Sequence, residues 1–147
     1  LSPRQYGLGQ THKHLPEIVT ICHLADKPMF SPIVDDYYSG MEVTVPVFTK
    51  LLKGAPGIQD VWETLAAHYD GCDFIHVRPL GEDKGGFLAA NDMSGRDDME
   101  IFVTGNDQRI LLTSIFDNLG KGASGAAIEN MNIMLGIDPK TGLNLGD

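Results

Sequence analysis

Asp117-Asn118-Leu119-Gly120-Lys121-Gly122-Ala123-Ser124-Gly125-Ala126-Ala127 decides how this chain is to be folded. Gly120, Gly122 and Gly125 match the spacing G-x-G-x-x-G, with Lys121 among them. A glycine loop that runs into a helix presents backbone N–H groups at the positive end of the helix dipole, which suits an anion. A dinucleotide-binding unit needs more: a second strand after the helix and an acidic ribose contact about 20 residues on. Here the helical pattern gives out at Leu135, and Gly136-Ile137-Asp138-Pro139-Lys140-Thr141-Gly142 is turn-forming sequence. The stretch therefore reads as one wall of a site whose other wall lies elsewhere. The competing reading is packing, in which Gly122, Ala123, Gly125, Ala126 and Ala127 let a helix approach a neighbour closely and Lys121 is solvated.

Working outward, Arg109 to Asp117 and Met99 to Thr104 read as two strands joined at Gly105-Asn106-Asp107-Gln108, a hairpin signal. Met41, Val43, Val45 and Val47 alternate with Glu42, Thr44, Pro46 and Phe48, the pattern of a strand with one apolar face. Pro46 cannot donate to a ladder, so this strand lies at an edge or bulges there. Ile58, Val61, Trp62, Leu65, Ala66 and Tyr69 recur at helical spacing, and Phe74 to Arg78 is strand-like. Lys50 to Gly57 and Gly81 to Gly86 read as loops. Pro16 to Leu24 reads as a helix with Pro in its first turn, and Met29 to Val34 as a short β-like run broken by Pro32. The last helix spans about Ser124 to Leu135 and stops at Gly136. This order predicts an α+β fold: a mixed or antiparallel sheet with helices on one face. The open sheet face calls for a cover, most simply a second subunit.

Composition narrows the function classes. The 147 residues suit one domain with a real core, and 42% hydrophobic and 21% charged residues are ordinary for a soluble globular chain. A net charge of −9 argues against nucleic acid, which calls for a basic footprint. No apolar run reaches membrane-spanning length, and no charged-then-apolar leader opens the chain, so a cytoplasmic protein is expected. Cys22 and Cys72 have no paired spacing and read as buried thiols, neither disulfide nor zinc ligands. Leu1 in place of an initiating Met suggests an excised piece.

The second constellation is His12-Lys13-His14-Leu15-Pro16-Glu17. Imidazole titrates near neutrality, and a neighbouring carboxylate can orient it. His12 or His14, oriented by Glu17, can serve as general acid and base. H-x-H-x-x-E also offers three metal ligands, but no cysteine or further carboxylate motif supports a metal site. On composition alone these would be solvent-facing loop histidines. His23, His68 and His76 have no such context.

The two segments together resemble the N-acetyl-gamma-glutamyl-phosphate reductase family, over nearly the whole chain. The resemblance runs through Tyr6-Gly7, His12-x-His14-x-Pro16-Glu17-Ile18, Phe30-Ser31-Pro32, Gly40-Met41, Val45-Pro46, His68-Tyr69, the 117–127 stretch, Asn130-Met131-Asn132 and Leu135-Gly136. It implies a layout like glyceraldehyde-3-phosphate dehydrogenase: an NADP-binding Rossmann domain, then an α+β catalytic and oligomerisation domain whose last helix packs back on the first. It implies reduction of N-acetylglutamyl 5-phosphate, an acyl phosphate, to the 5-semialdehyde in arginine biosynthesis. In that reaction a cysteine thiolate attacks, phosphate leaves, and NADPH delivers hydride. Carried over, His12 is the first choice for the acid/base with His14 close behind, and Glu17 orients the imidazole or contacts substrate. Asn118, Gly120, Lys121, Gly122 and Ser124 would line the cofactor and substrate cleft, so that the imidazoles and the glycine turn converge on one crevice. A homodimer or homotetramer through the sheet face is implied.

The departures are equally specific. The family's N-terminal cofactor fingerprint, its nucleophilic Gly-Cys-Tyr segment and its Ser-Gly-Ala-Gly-Arg type substrate loop have no counterpart, and neither Cys22 nor Cys72 matches the nucleophile. Residues 1–147 therefore read as the catalytic and oligomerisation domain without the Rossmann domain. This chain alone is expected to show no turnover and no tight NADP binding, with Ile128, Met131 and Leu135 of the last helix exposed, frayed or buried against another copy. Two other functions stay open: a non-catalytic oligomerisation module, which would have no use for the His12/His14/Glu17 cluster, and a lysine-pathway semialdehyde dehydrogenase acting on a carrier-linked substrate, which shares the same motifs.

Overall fold

The alternation at 41–48 forms the longest piece of a sheet edge. In the computed structural model, which describes residues 2–146, the chain divides between Tyr38 and Ser39 into two compact units. The larger unit holds a four-stranded sheet of β3 (Met41–Phe48), β4 (Ile75–Val77), β5 (Met99–Asn106) and β6 (Arg109–Phe116), in the order β3-β6-β5-β4. β3 lies at an edge, as Pro46 requires. It pairs with β6 antiparallel from Met41↔Phe116 to Phe48↔Arg109. β5 and β6 form a hairpin turning at Asp107-Gln108, and β4 runs parallel to β5. The sheet is mixed, and the fold class is α+β.

The two sheet faces differ in what covers them. Phe102, Ile115, Thr113 and Thr44 share one face by register, and the Thr44 and Thr113 hydroxyls lie 2.9 Å apart. There Met93, Phe102 and Ile115 form a buried cluster, with Leu88 packed against it. Val43, Val45, Ile101, Val103 and Leu112 share the other face. Val43 and Val45 stay 43% and 53% exposed, because β3 has a neighbour on one side only.

A parallel β4–β5 pair needs a crossover. Here it is an irregular segment from Arg78 to Asp98, fixed by ion pairs. Arg78 pairs with Glu82 at 2.7 Å and with Glu100 at 3.6 Å, and Lys84 pairs with Asp92 at 3.1 Å and Glu100 at 3.3 Å. Burial works against the charge on Lys84, but Asp92 and Glu100 outweigh it and hold its pKa above the ordinary lysine range. Arg96 pairs bidentately with the fully buried Asp98, whose other contact is His76 Nε2 at 3.2 Å. His76, without context in the sequence, thus belongs to this network.

α2 (Ile58–His68) follows the expected period. Its first amide, on Ile58, donates to Asp107 Oδ1 at 3.0 Å, and Trp62 Nε1 donates to the Arg78 carbonyl at 2.8 Å. α3 (Gly125–Leu135) ends at Gly136, whose φ of 69° is the left-handed conformation that stops a helix. Ile128 is half-buried, while Met131 and Leu135 are exposed. Asn132 is buried and donates to the carbonyls of Pro139 and Thr141, which ties the tail to the helix.

The smaller unit contains α1 (His14–Cys22) and a two-residue antiparallel pair, β1 (Arg4–Gln5) with β2 (Ile33–Val34). α1 starts two residues before the expected Pro16 and ends at Cys22, capped by His23 in the left-handed conformation. The β-like run from Met29 shrinks to Ile33–Val34. Cys22 is exposed and Cys72 half-buried, so neither is the buried thiol expected.

Candidate functional site

Two short polar clasps shape the smaller unit around its histidines. The Tyr6 N–H donates to the Pro32 carbonyl at 3.0 Å, and Gln5 Nε2 to Ser31 Oγ at 2.7 Å, extending the β1–β2 pair. The Gln10 side-chain amide brackets the backbone of Phe30, with Nε2 donating to its carbonyl at 2.7 Å and Oε1 accepting its N–H at 3.0 Å. Gln10 has a φ of 54°, left-handed backbone that aims this bracket. Phe30 is thereby set beside the imidazoles. Its ring centroid lies 4.9 Å from that of His12 and 6.2 Å from that of His14.

The two imidazoles are 4.6 Å apart, nearly edge to face at 69°. His14 is the first residue of α1 and exposed, and His12 is half-buried with Tyr6 5.8 Å away. The fully buried Leu15 anchors the turn that carries both. The structure thus brings together two of the three residues chosen here. Glu17 lies in the first turn of α1, exposed, and makes no hydrogen bond or ion pair with either ring. Spacing of i to i+3 places Glu17 on the same side of α1 as His14, yet its side chain stands in solvent without bonding the ring, so no orienting contact is made here. Glu17 instead lines a shallow hollow of about 280 Å³ with Pro16, Thr20 and Ile21. Among the described residues no three His, Cys, Asp or Glu side chains converge as metal ligands.

The glycine-rich stretch in the larger unit is not an open amide cradle. Gly120–Ser124 forms a π-helical turn that leads directly into α3. The amides of Leu119, Gly120, Gly122 and Ser124 are spent internally. Asp117 Oδ1 accepts the N–H of Leu119 at 2.7 Å and of Gly120 at 3.1 Å, and the Asp117 carbonyl accepts the Gly122 N–H at 2.8 Å. The Leu119 carbonyl accepts both the N–H and the hydroxyl of Ser124. Asn118 Oδ1 accepts the Gly40 N–H at 2.8 Å. Lys121 pairs with Glu129 at 2.8 Å and lies 4.8 Å over the Phe74 ring. Close approach explains the glycines: a Cβ on Gly120 would sit 2.4 Å from the Arg96 carbonyl oxygen, and one on Gly125 2.2 Å from Asp97 Oδ1.

Asp117 organises this region. Its Oδ2 accepts the Ser39 hydroxyl at 3.0 Å and the Gly95 N–H at 2.5 Å, so four donors converge on one buried carboxylate. Burial alone would push its pKa up. The amides of Gly95, Leu119 and Gly120 and the Ser39 hydroxyl overcome that and hold it below the ordinary carboxylate range. The sequence reading missed this role. Asp117-Asn118 immediately before a glycine run is the signal that could have found it, since Asp readily accepts amides two and three residues on.

Comparison with known proteins agrees with this architecture. Residues 2–118 match the family model described as semialdehyde dehydrogenase, dimerisation domain. The N-acetyl-gamma-glutamyl-phosphate reductase of Brucella anthropi is 45% identical over 134 residues, 89% of this chain and 43% of that protein. Those of Brucella ovis and Brucella canis are 44% identical over the same shares. The chain thus spans less than half the length of these relatives. No helix among the described residues is long and apolar enough to cross a membrane. The resemblance drawn from the two motifs holds, and the chain belongs to the semialdehyde dehydrogenase dimerisation-domain family.

Proposed function

We propose that this domain serves an N-acetyl-gamma-glutamyl-phosphate reductase of arginine biosynthesis, supplying proton transfer while it pairs with a second copy. The observation that carries this reading is the imidazole pair, held 4.6 Å apart by Phe30 and the start of α1 within a chain 45% identical to such a reductase. A surface used only for pairing has no need of it. The substrate is the acyl phosphate N-acetylglutamyl 5-phosphate, as the relatives' name indicates.

The reduction needs a hydride, which NADPH supplies in the family resembled here. The residues of this chain do not fit a dinucleotide cradle, because the amides of Leu119, Gly120 and Gly122 already bond Asp117 and Lys121 bonds Glu129. Asn118, Gly120, Lys121, Gly122 and Ser124 are therefore assigned to shaping the turn before α3, and NADP to a Rossmann domain of the whole enzyme. The chemistry left to this chain concerns protons. One imidazole takes the proton of the nucleophilic thiol, so that the thiolate can attack the acyl carbon and phosphate can leave. The imidazolium then returns a proton to the oxygen that becomes negative when the acyl group is reduced. Pairing through the sheet is favoured by Met41, Val43 and Val45, apolar and exposed along β3.

Steady-state NADPH oxidation by a reductase carrying this domain tests the reading. His12→Asn and His14→Asn together are expected to lower kcat by about 10²–10⁴, the usual worth of positioned acid/base catalysis. Unchanged turnover would remove the imidazoles from the chemistry.

A further inference from the structure

His12 is bound twice to the start of α1. Its Nδ1 accepts the backbone N–H of His14 at 3.3 Å, and its own carbonyl accepts the N–H of Leu15 at 3.0 Å. The first amides of a helix lack intrahelical partners, and Lys13 at the N-cap position offers no side-chain bond. The imidazole of His12 fills that place. A ring nitrogen that accepts a hydrogen bond carries no proton, so neutral His12 carries its single proton on Nε2.

The ring is also confined. Phe30 packs against it at 4.9 Å, tilted by 42°, and Phe30 is itself bracketed by Gln10. His14 and Tyr6 approach it edge-on. Turning the ring over would keep these ring contacts but put a C–H where Nδ1 stands, and so break the bond from the His14 amide. The His14 imidazole, in contrast, makes no hydrogen bond through either nitrogen among the described residues, and it is exposed.

We infer that the two imidazoles are not interchangeable: His12 is fixed as an Nε2–H donor to a substrate oxygen, and proton acceptance falls to His14. The substrate in this statement rests on the proposed reductase function, whereas the tautomer rests on the chain's own geometry, so the two are tested separately.

Long-range proton–nitrogen correlation NMR on the 15N-labelled 147-residue protein, at a pH where His12 is neutral, reads the tautomer directly. The expected spectrum shows Nδ1 bare and Nε2 protonated. The same pattern is expected in His14→Asn, because that substitution keeps the backbone amide. A protonated Nδ1, or an even mixture of the two tautomers, overturns the inference. In a reductase containing the domain, His12→Gln places an amide N–H near the Nε2 position, whereas His12→Asn restores only the acceptor that caps the helix. The glutamine variant is expected to keep kcat/KM about tenfold above the asparagine variant, the worth of one hydrogen bond to a charged or polarised oxygen. Equal values would remove the donor role. The expected tautomer together with a His14→Asn enzyme of full activity would overturn the assignment of proton acceptance to His14, whereas a wild-type enzyme that does not reduce the acyl phosphate would count against the reductase function and leave the tautomer standing.

Discussion

Asp117→Ala is expected to destabilise the larger unit by about 3–5 kcal/mol, enough to unfold many domains of this size. The carboxylate is 3% exposed and accepts four donors, three of them backbone amides from two separate segments. Removing it leaves those donors buried without a partner, and each such group costs about 1–3 kcal/mol before relaxation. Urea unfolding reads the loss as a lower midpoint. The pH dependence carries a sign. The folded-state pKa is depressed, so the carboxylate's contribution is fully present above the unfolded value of about 3.9 and is lost as pH falls through the folded value. Wild type should therefore weaken between roughly pH 4 and more acidic conditions, and Asp117→Asn should show a flatter acid limb from a lower starting stability.

Gly120→Ala is expected to cost about 3 kcal/mol or more, the upper range of overpacking. Its Cβ would meet the Arg96 carbonyl at 2.4 Å and Asp97 Oδ1 at 2.9 Å, and a backbone oxygen cannot swing aside. Asp97 is tied as well, since its N–H donates to the Asn144 carbonyl at 2.7 Å and its Oδ2 accepts the Asn144 N–H at 2.9 Å. Gly122→Ala should be much milder, because its nearest neighbour, Phe116 Cε2 at 3.2 Å, belongs to a side chain. An anion cradle would behave differently, with both substitutions weakening ligand binding and leaving thermal stability close to wild type. Melting temperatures of the two variants separate the cases.

These two positions show what the sequence made legible. A G-x-G-x-x-G spacing identifies backbone that lets something close, but not what approaches. Here the neighbour is the Arg96–Asp97 segment of the same unit, a contact between residues far apart in the chain that local pattern cannot reveal. β3, α2, the β5–β6 hairpin and α3 were legible because each carries several periods of alternation or helical spacing. β1 was not, because a two-residue strand contains no period, and β2 was legible only as the end of the broader run from Met29; the Tyr6 to Pro32 bond and the Gln10 bracket on Phe30 accompany that pair. The early start of α1 was hidden for a similar reason. His14 is a mediocre helix former, and the signal lies in the ring of His12, which no cap rule includes. The histidine pair itself was legible from spacing. Glu17 makes no contact with either imidazole, since sequence proximity to a histidine does not supply one, and of the two roles expected for it contact with substrate is the one left to propose.

In the function proposed above, these imidazoles act on the reacting atoms of an acyl-phosphate reduction. A crystal structure of a reductase containing this domain, with an unreactive acyl analogue of N-acetylglutamyl phosphate bound, tests it most directly. A His14 ring nitrogen is expected within about 2.6–3.2 Å of the nucleophilic sulfur or the reacting oxygen, and His12 Nε2 on a substrate oxygen. An analogue seated with both imidazoles out of reach, and another base against the sulfur, would contradict it.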